Sequence, residues 1–118
     1  MLQVLAETEN DLVAVKATQK LTQKDYDKLL PLLNCKLDRY DKLRMYFEME
    51  DFEGWTPGAF WEDVKFDVAH ANDFSRVAMV GHKKWEDYLT QVMKPFTSAE
   101  VRFFTSSQKK EAKKWVCA

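Results

Sequence analysis

Apolar runs of strand length alternate with amphipathic segments of helix length along nearly the whole chain, and that alternation restricts its fold more than any other feature. Residues 2–5 and 12–17 read as two strands separated by the polar stretch 7–11, with Val13 and Val15 alternating in the second. A helix opens at Thr22, with Asp25 three residues on as a weakened capping box, and carries Tyr26, Leu29, Leu30, Leu33, Leu37 and Tyr40 at helical spacing. Pro31 lies inside it, removing one hydrogen bond and crowding the preceding turn, so the helix is expected to bend or split. Further strands are expected at 43–49 (LRMYFEM), 76–80 (RVAMV) and 101–104 (VRFF), with helices at 57–72, 83–93 and after a cap at Ser107. The resulting order is ββαβαβαβα. Strands joined through helices lie parallel with right-handed crossovers, so the opening hairpin is left to supply the antiparallel edge. The expectation is one α/β domain over 1–118, a five-stranded mixed sheet flanked by four helices.

The segment 51–61 (DFEGWTPGAFW) joins the third strand to the second helix and collects aromatic side chains in what reads as a turn. Thr56 and Pro57 have the character of an N-cap and a first helical residue. A strand's carboxyl end then meets a helix's amino end, the crevice where open α/β sheets usually bind ligands because free N–H groups and the positive end of the helix dipole converge there. Gly54, Pro57 and Gly58 would permit a hinge at this point. On a helical wheel Phe60, Trp61, Val64, Val68 and Ala71 share one apolar arc, the expected sheet-facing side. Phe66 falls on the far side near Ala59 and Ala69, and Trp55 sits in the exposed turn. One outward phenylalanine is ordinary, whereas two bulky aromatics beside a pocket mouth mark a ligand groove, a dimer contact or a membrane face.

Composition narrows the function classes. A formal net charge of -1 argues against a nucleic-acid binder held by a broad basic field. No apolar run approaches the roughly 20 residues needed to span a bilayer, and the start MLQVLAETEND lacks the basic and apolar regions of a signal peptide, so a cytoplasmic address is expected. Cys35, Cys117, His70 and His82 are isolated, with none of the spacings that bind metal or form a disulfide framework, so neither a metal nor a cofactor is expected. Glu48, Glu50, Asp51 and Glu53 form an acidic cluster that lacks the spacing of a metal loop or a catalytic pair and reads as a solvated loop. His82, Lys83 and Lys84 place cations at a helix amino end, where the dipole disfavours them. Either they gather an anion such as a lipid headgroup phosphate, or Glu50, Asp51 or Glu53 neutralises them from the neighbouring loop. Lys109, Lys110, Lys113 and Lys114 read as the wet face of the last helix.

The element order, the DFEGWTPGAFW segment and the following WEDVKFDVAHANDFSRVAMVGHKKW together resemble the SpoIIAA-like family, the branch of STAS domains described as STAS/CRAL-TRIO-like. Residues 48–58, the aromatic and acidic run Phe60 to Asp63, residues 73–80 and Trp85 carry the resemblance. It implies a STAS-like sheet and a role in binding rather than catalysis. The wider group includes anti-sigma-factor antagonists switched by phosphorylation of a serine in a DSSG-like turn. Glu53 stands at that position here, in Asp51-Phe52-Glu53-Gly54, with a permanent negative charge. The likeness to CRAL-TRIO carriers implies a lipid-like ligand or membrane contact near the second and third helices. The partners implied are therefore a lipid-like small molecule, a regulatory protein, the inner face of a membrane or a second copy of the chain. The residues assigned to that surface are Glu53, Gly54, Trp55, Thr56, Phe60, Trp61, Phe66, His82, Lys83, Lys84 and Trp85.

Overall fold

The ten-residue strand Leu12–Leu21 buries Leu12, Val13, Ala14 and Val15 in succession, which requires cover on both faces of the sheet. A computed structural model describes residues 1–70, 72–82, 84–94 and 98–118. Its elements run β1 (Leu2–Val4), β2 (Leu12–Leu21), α1 (Gln23–Leu37), β3 (Leu43–Trp55), α2 (Pro57–Ala69), β4 (Phe74–Gly81), α3 (Lys84–Met93), β5 (Glu100–Thr105) and α4 (Lys109–Cys117). The strands lie in the order β1-β2-β3-β4-β5, with β1 antiparallel to β2 and the other pairs parallel. The α/β class, the mixed five-stranded sheet and its antiparallel edge match the sequence expectation.

Side chains alternate between two cores along each strand. Val13, Val15, Ala17, Met49, Val77 and Met79 face Tyr26, Leu29 and Leu33 of α1 and Ala59 of α2. Gly81, two residues beyond Met79 and so on the same face, lies against the side chain of Glu86, which brings α3 to that side. The opposite face, with Leu12, Ala14, Tyr46, Ala78, Val80 and Phe104, is covered by Ala112 and Val116 of α4. Three crossover helices thus share one face, as crossovers of one hand require, and α4 takes the other.

Several boundaries differ from expectation. Strand β3 does not stop at Met49 but continues through the supposed turn to Trp55, paired with a β2 that runs on to Leu21. Register jumps leave Asp51 and Glu53 without partners, since Gln19 pairs with Phe52 and Lys20 with Gly54. Positive φ angles at Asp51 (49°), Gln19 (55°) and Gly54 (101°) absorb these bulges. The gain is that Phe52 turns inward and is fully buried. Helix α1 does not split at Pro31, because the proline lies on the exposed side, where water can satisfy the carbonyl it leaves free. Thr105, not Ser107, opens the last helical segment. Its N–H donates to Gln108 Oε1 at 3.0 Å across a 3-10 turn, Ser106–Gln108, that leads into α4. Helix α2 ends earlier than residue 72, with His70 as its C-cap and the His70 N–H on Phe66 O at 2.9 Å.

Candidate functional site

The carboxyl end of β3 delivers Trp55 directly to the start of α2. Thr56 caps that helix, its Oγ1 accepting the Ala59 N–H at 3.3 Å, while its own N–H donates to Leu21 O at 2.9 Å. Pro57 follows at the first helical position, as the sequence suggests. Trp55 is not an exposed turn residue. It is half-buried, its Nε1–H donates to the Tyr26 hydroxyl at 2.8 Å, and that hydroxyl donates to Asp63 Oδ1 at 2.9 Å. This chain of bonds ties α1, β3 and α2 together. Trp55 also meets Phe52 edge to face at 5.1 Å and Phe60 at 6.1 Å.

That tether sets the rotation of α2 and overturns the helical wheel. Ala59, Asp63, Phe66 and His70, at spacings of four, three and four, turn toward the body of the protein. Phe66, expected on the far side, packs against the core and meets His70 at 4.4 Å and Phe74 at 6.3 Å. Phe60 and Trp61, expected in the core, are 51% and 61% exposed. The physical reason is Asp63: a wheel assigns a carboxylate to solvent, but here the Tyr26 hydroxyl waits for it inside. The side chain of Val68, and Ala71, lie outside the described residues. The surface left at the amino end of α2 is apolar and aromatic, formed by Phe60 and Trp61. Beneath it Met49, Phe52, Ala59 and Phe66 fill the space above the sheet.

The polar residues expected beside it are dispersed. Glu53 is exposed on its bulge. Gly54 is buried, and a Cβ there would meet nothing within 4 Å, so its φ of 101° rather than crowding calls for glycine. His82 is exposed, and its backbone N–H donates to Glu86 Oε1 at 3.1 Å. Lys84 is exposed at the start of α3, whereas Lys83 and the side chain of Trp85 lie outside the described residues. The first turn of α3 itself carries Glu86 and Asp87, and Glu50 interacts electrostatically with His82 from the neighbouring strand. The direct ion pair of Glu50 is with Lys16 of β2, at 2.5 Å. That contact holds the Glu50 carboxyl below its ordinary value and the Lys16 ammonium above its own.

Glu48 does not belong to a solvated loop. It is buried on the α4 face, where Oε1 accepts the Tyr46 hydroxyl at 2.7 Å and Oε2 meets Lys109 Nζ at 3.3 Å. Burial, reinforced by this carboxylate, pushes the Tyr46 phenol well above its ordinary value. Lys113 pairs with Glu7 at 2.6 Å, keeping that carboxyl low, and lies 5.4 Å from the Tyr46 ring centroid. Two lysines read as a wet face therefore seat α4 on the sheet. Sequence reasoning placed Tyr26 on the packing face of the first helix and Asp63 in the run that carries the family resemblance, but not the hydrogen bond between them. At the other end of the sheet Glu7, Glu9, Asn10, Asp11, Leu12, Arg44 and Cys117 line a concavity of about 370 Å³. Among the described residues, no three His, Cys, Asp or Glu side chains come together to hold a metal, and no helix is long and apolar enough to cross a membrane.

The sequence model of the SpoIIAA-like family matches residues 12–117. Among solved structures, the chain is similar to an uncharacterised protein from Shewanella loihica PV-4 whose crystal structure is described as having a SpoIIAA-like fold. The two are 30% identical, the match covers 98% of this chain and 94% of that one, and the TM-score is 0.84. No curated protein matches.

Proposed function

The chain belongs to the SpoIIAA-like family, and from that premise we propose that it is a non-enzymatic STAS-type binding domain that takes an apolar or lipid-like ligand at the amino end of α2. The observation that carries this reading is the exposure of Phe60 and Trp61, 51% and 61%, on a helix start anchored by Trp55, Tyr26 and Asp63. Covering two such half-exposed rings is worth about 2 kcal/mol each, enough to drive association with an acyl chain or the interfacial layer of a membrane. Such contact makes the protein peripheral at the inner face of a membrane. The packed layer beneath α2 leaves two ways to seat a ligand: against the outer rings, or under a helix that swings about the Gly54 to Gly58 segment.

Native mass spectrometry before and after mild denaturation, with sedimentation on phosphatidylglycerol-containing liposomes, tests the reading. A released lipid-like mass or liposome binding lost in Phe60→Ser/Trp61→Ser supports it. A clean apo species that ignores liposomes sinks it.

A second reading is a protein-interaction module related to anti-sigma-factor antagonists, although Glu53 in place of a serine weighs against the familiar phosphorylation switch. What favours it is that the Glu53 carboxylate is exposed on a bulge, where it would present a fixed charge to a partner at the position that the resemblance assigns to the switching serine. Affinity capture that recovers a regulatory protein with the native chain and loses it with Glu53→Lys would favour this reading over the first.

A further inference from the structure

Three arginines cross the face of the sheet opposite α2. Arg44 of β3 and Arg76 of β4 are register partners, and Arg102 stands on β5 beside Ala78, all on the face that carries Tyr46, Ala78 and Phe104. Arg44 has a carboxylate, Asp11, at 3.2 Å, and its Nη1 donates to Val116 O and Ala118 O at 3.2 and 3.1 Å. Arg76 has Glu100 at 3.6 Å and donates to Trp115 O at 2.7 Å. Both therefore have acids and both cap the end of α4. Arg102 has neither an ion pair nor a hydrogen bond among the described residues. Its guanidinium lies 5.0 Å from the Phe104 centroid and 5.3 Å from that of Trp115, while Arg76 approaches Trp115 to 5.2 Å.

A guanidinium laid over two rings keeps its in-plane N–H donors at the edge, fixed in position and open to solvent. Bidentate capture of a carboxylate then costs little side-chain entropy. The geometry of the fork decides the class of ligand. Arg44 and Arg76 are committed to Asp11, Glu100 and the oxygens at the end of α4, so in this row only the Arg102 fork has its donors uncommitted among the described residues, and its planar pair of N–H groups matches the two oxygens of a carboxylate. On α4 the exposed Lys110 and Lys114 add positive charge and the exposed Glu111 removes some. We propose that Arg102, stacked on Phe104 and Trp115 beside Arg76, is a carboxylate-binding site, separate from the aromatic surface of α2. The carboxylate belongs either to a small organic acid or to an acidic side chain of a partner protein.

The test is NMR of the full ¹⁵N-labelled chain, following the Trp115 indole N–H and the Arg102 Nε–H. Sodium acetate and an N-acetylated tetraglutamate amide are titrated separately against sodium chloride of equal ionic strength. Saturable shifts of both resonances are expected, absent in Arg102→Ala and weakened about tenfold in Arg102→Lys, which keeps the charge but loses the fork. Saturation by acetate assigns a small organic acid, and saturation by the peptide alone assigns an acidic segment of a partner. Shifts no larger than those in chloride overturn the proposal. So does a fall in melting temperature in Arg102→Ala with no carboxylate-dependent shift in the native chain, because the stacked guanidinium would then serve only to shield Trp115.

Discussion

Under α1 and α2 the sheet is sealed by Val13, Val15, Leu29, Leu33, Met49 and Phe52, with the Trp55, Tyr26 and Asp63 chain at one end of α2 and the His70–Asp73 pair at the other. Under α4 it is sealed around a buried tyrosine and glutamate, two lysine ion pairs and two arginines, Arg44 and Arg76, that bond the backbone oxygens at the end of the helix. Two crossover helices bring enough apolar area to hold themselves, since burial yields roughly 25 cal/mol per Å². A nine-residue helix that buries only Ala112 and Val116 completely does not, and charge and ring contacts make up the difference. The exposed surfaces differ in the same sense, aromatic beside α2 (Phe60 and Trp61) and cationic beside α4 (Lys110, Lys114 and Arg102).

The largest expected effect lies on the apolar face. Phe52→Ala removes a fully buried ring that meets Phe47 and Trp55 edge to face, so urea unfolding should show a loss of about 3–5 kcal/mol. A loss below about 1 kcal/mol would mean that the bulged end of β3 is not part of the core. Next comes the join between β4 and α3. A Cβ on Gly81 would collide with Glu86 Oε1, and the buried Glu86 has little room to retreat, so Gly81→Ala should cost about 1–3 kcal/mol. Unchanged stability would show that the start of α3 is free to shift.

On the α4 face, Glu48→Gln keeps an acceptor for Tyr46 but strips Lys109 of its charge partner. A buried carboxylate paired to a lysine that is 42% exposed is worth less than a fully buried pair, so about 1–2 kcal/mol is expected. Adding salt should narrow the gap between this variant and the native chain, and hydrogen exchange should place the loss in α4. A gap that ignores salt would make the seat of α4 apolar after all.

The smallest effect is the pH dependence. The Glu7 carboxyl is lowered by Lys113, that of Glu50 by Lys16, and that of Asp25 by hydrogen bonds from Thr22 that outweigh its burial. Their folded pKa values lie below the unfolded ones, so their stabilisation is complete above the unfolded carboxylate value of about 4 and is lost as pH falls through the folded values. Thermal melts should be flat from about pH 5 to 7 and decline below about pH 4. Lys113→Met should shrink that decline, because it removes the cause of the Glu7 shift, and an unchanged acid limb would rule the Glu7 pair out as a contributor.

The order of elements, the caps at Thr22 and Thr56 and the antiparallel edge were legible because each is a local matter of apolar period, capping chemistry or connection length. The candidate surface was only half legible. Segment 51–61 was located, but its aromatics were assigned to the wrong sides, because the rotation of α2 is set by a hydroxyl 37 residues away from Asp63. Glu48 was misread for a similar reason, since nothing near it in sequence announces that Lys109 will arrive over it from α4.

By itself, then, the sequence determined the class of fold and the family to which it belongs, since periodicity and short-range turn and cap chemistry act over a few residues and need no partner from afar. Tertiary structure decided that DFEGW is bulged strand rather than turn, that Phe66 goes in while Phe60 and Trp61 stay out, and that four acidic residues in a row of six lead separate lives. Those outcomes depend on partners far away in sequence: the core that takes Phe52, the Tyr26 hydroxyl that meets Asp63, and Lys109 over the buried Glu48. An unpaired polar group inside costs about 1–3 kcal/mol, enough to override the local preference of a single helix turn or strand end.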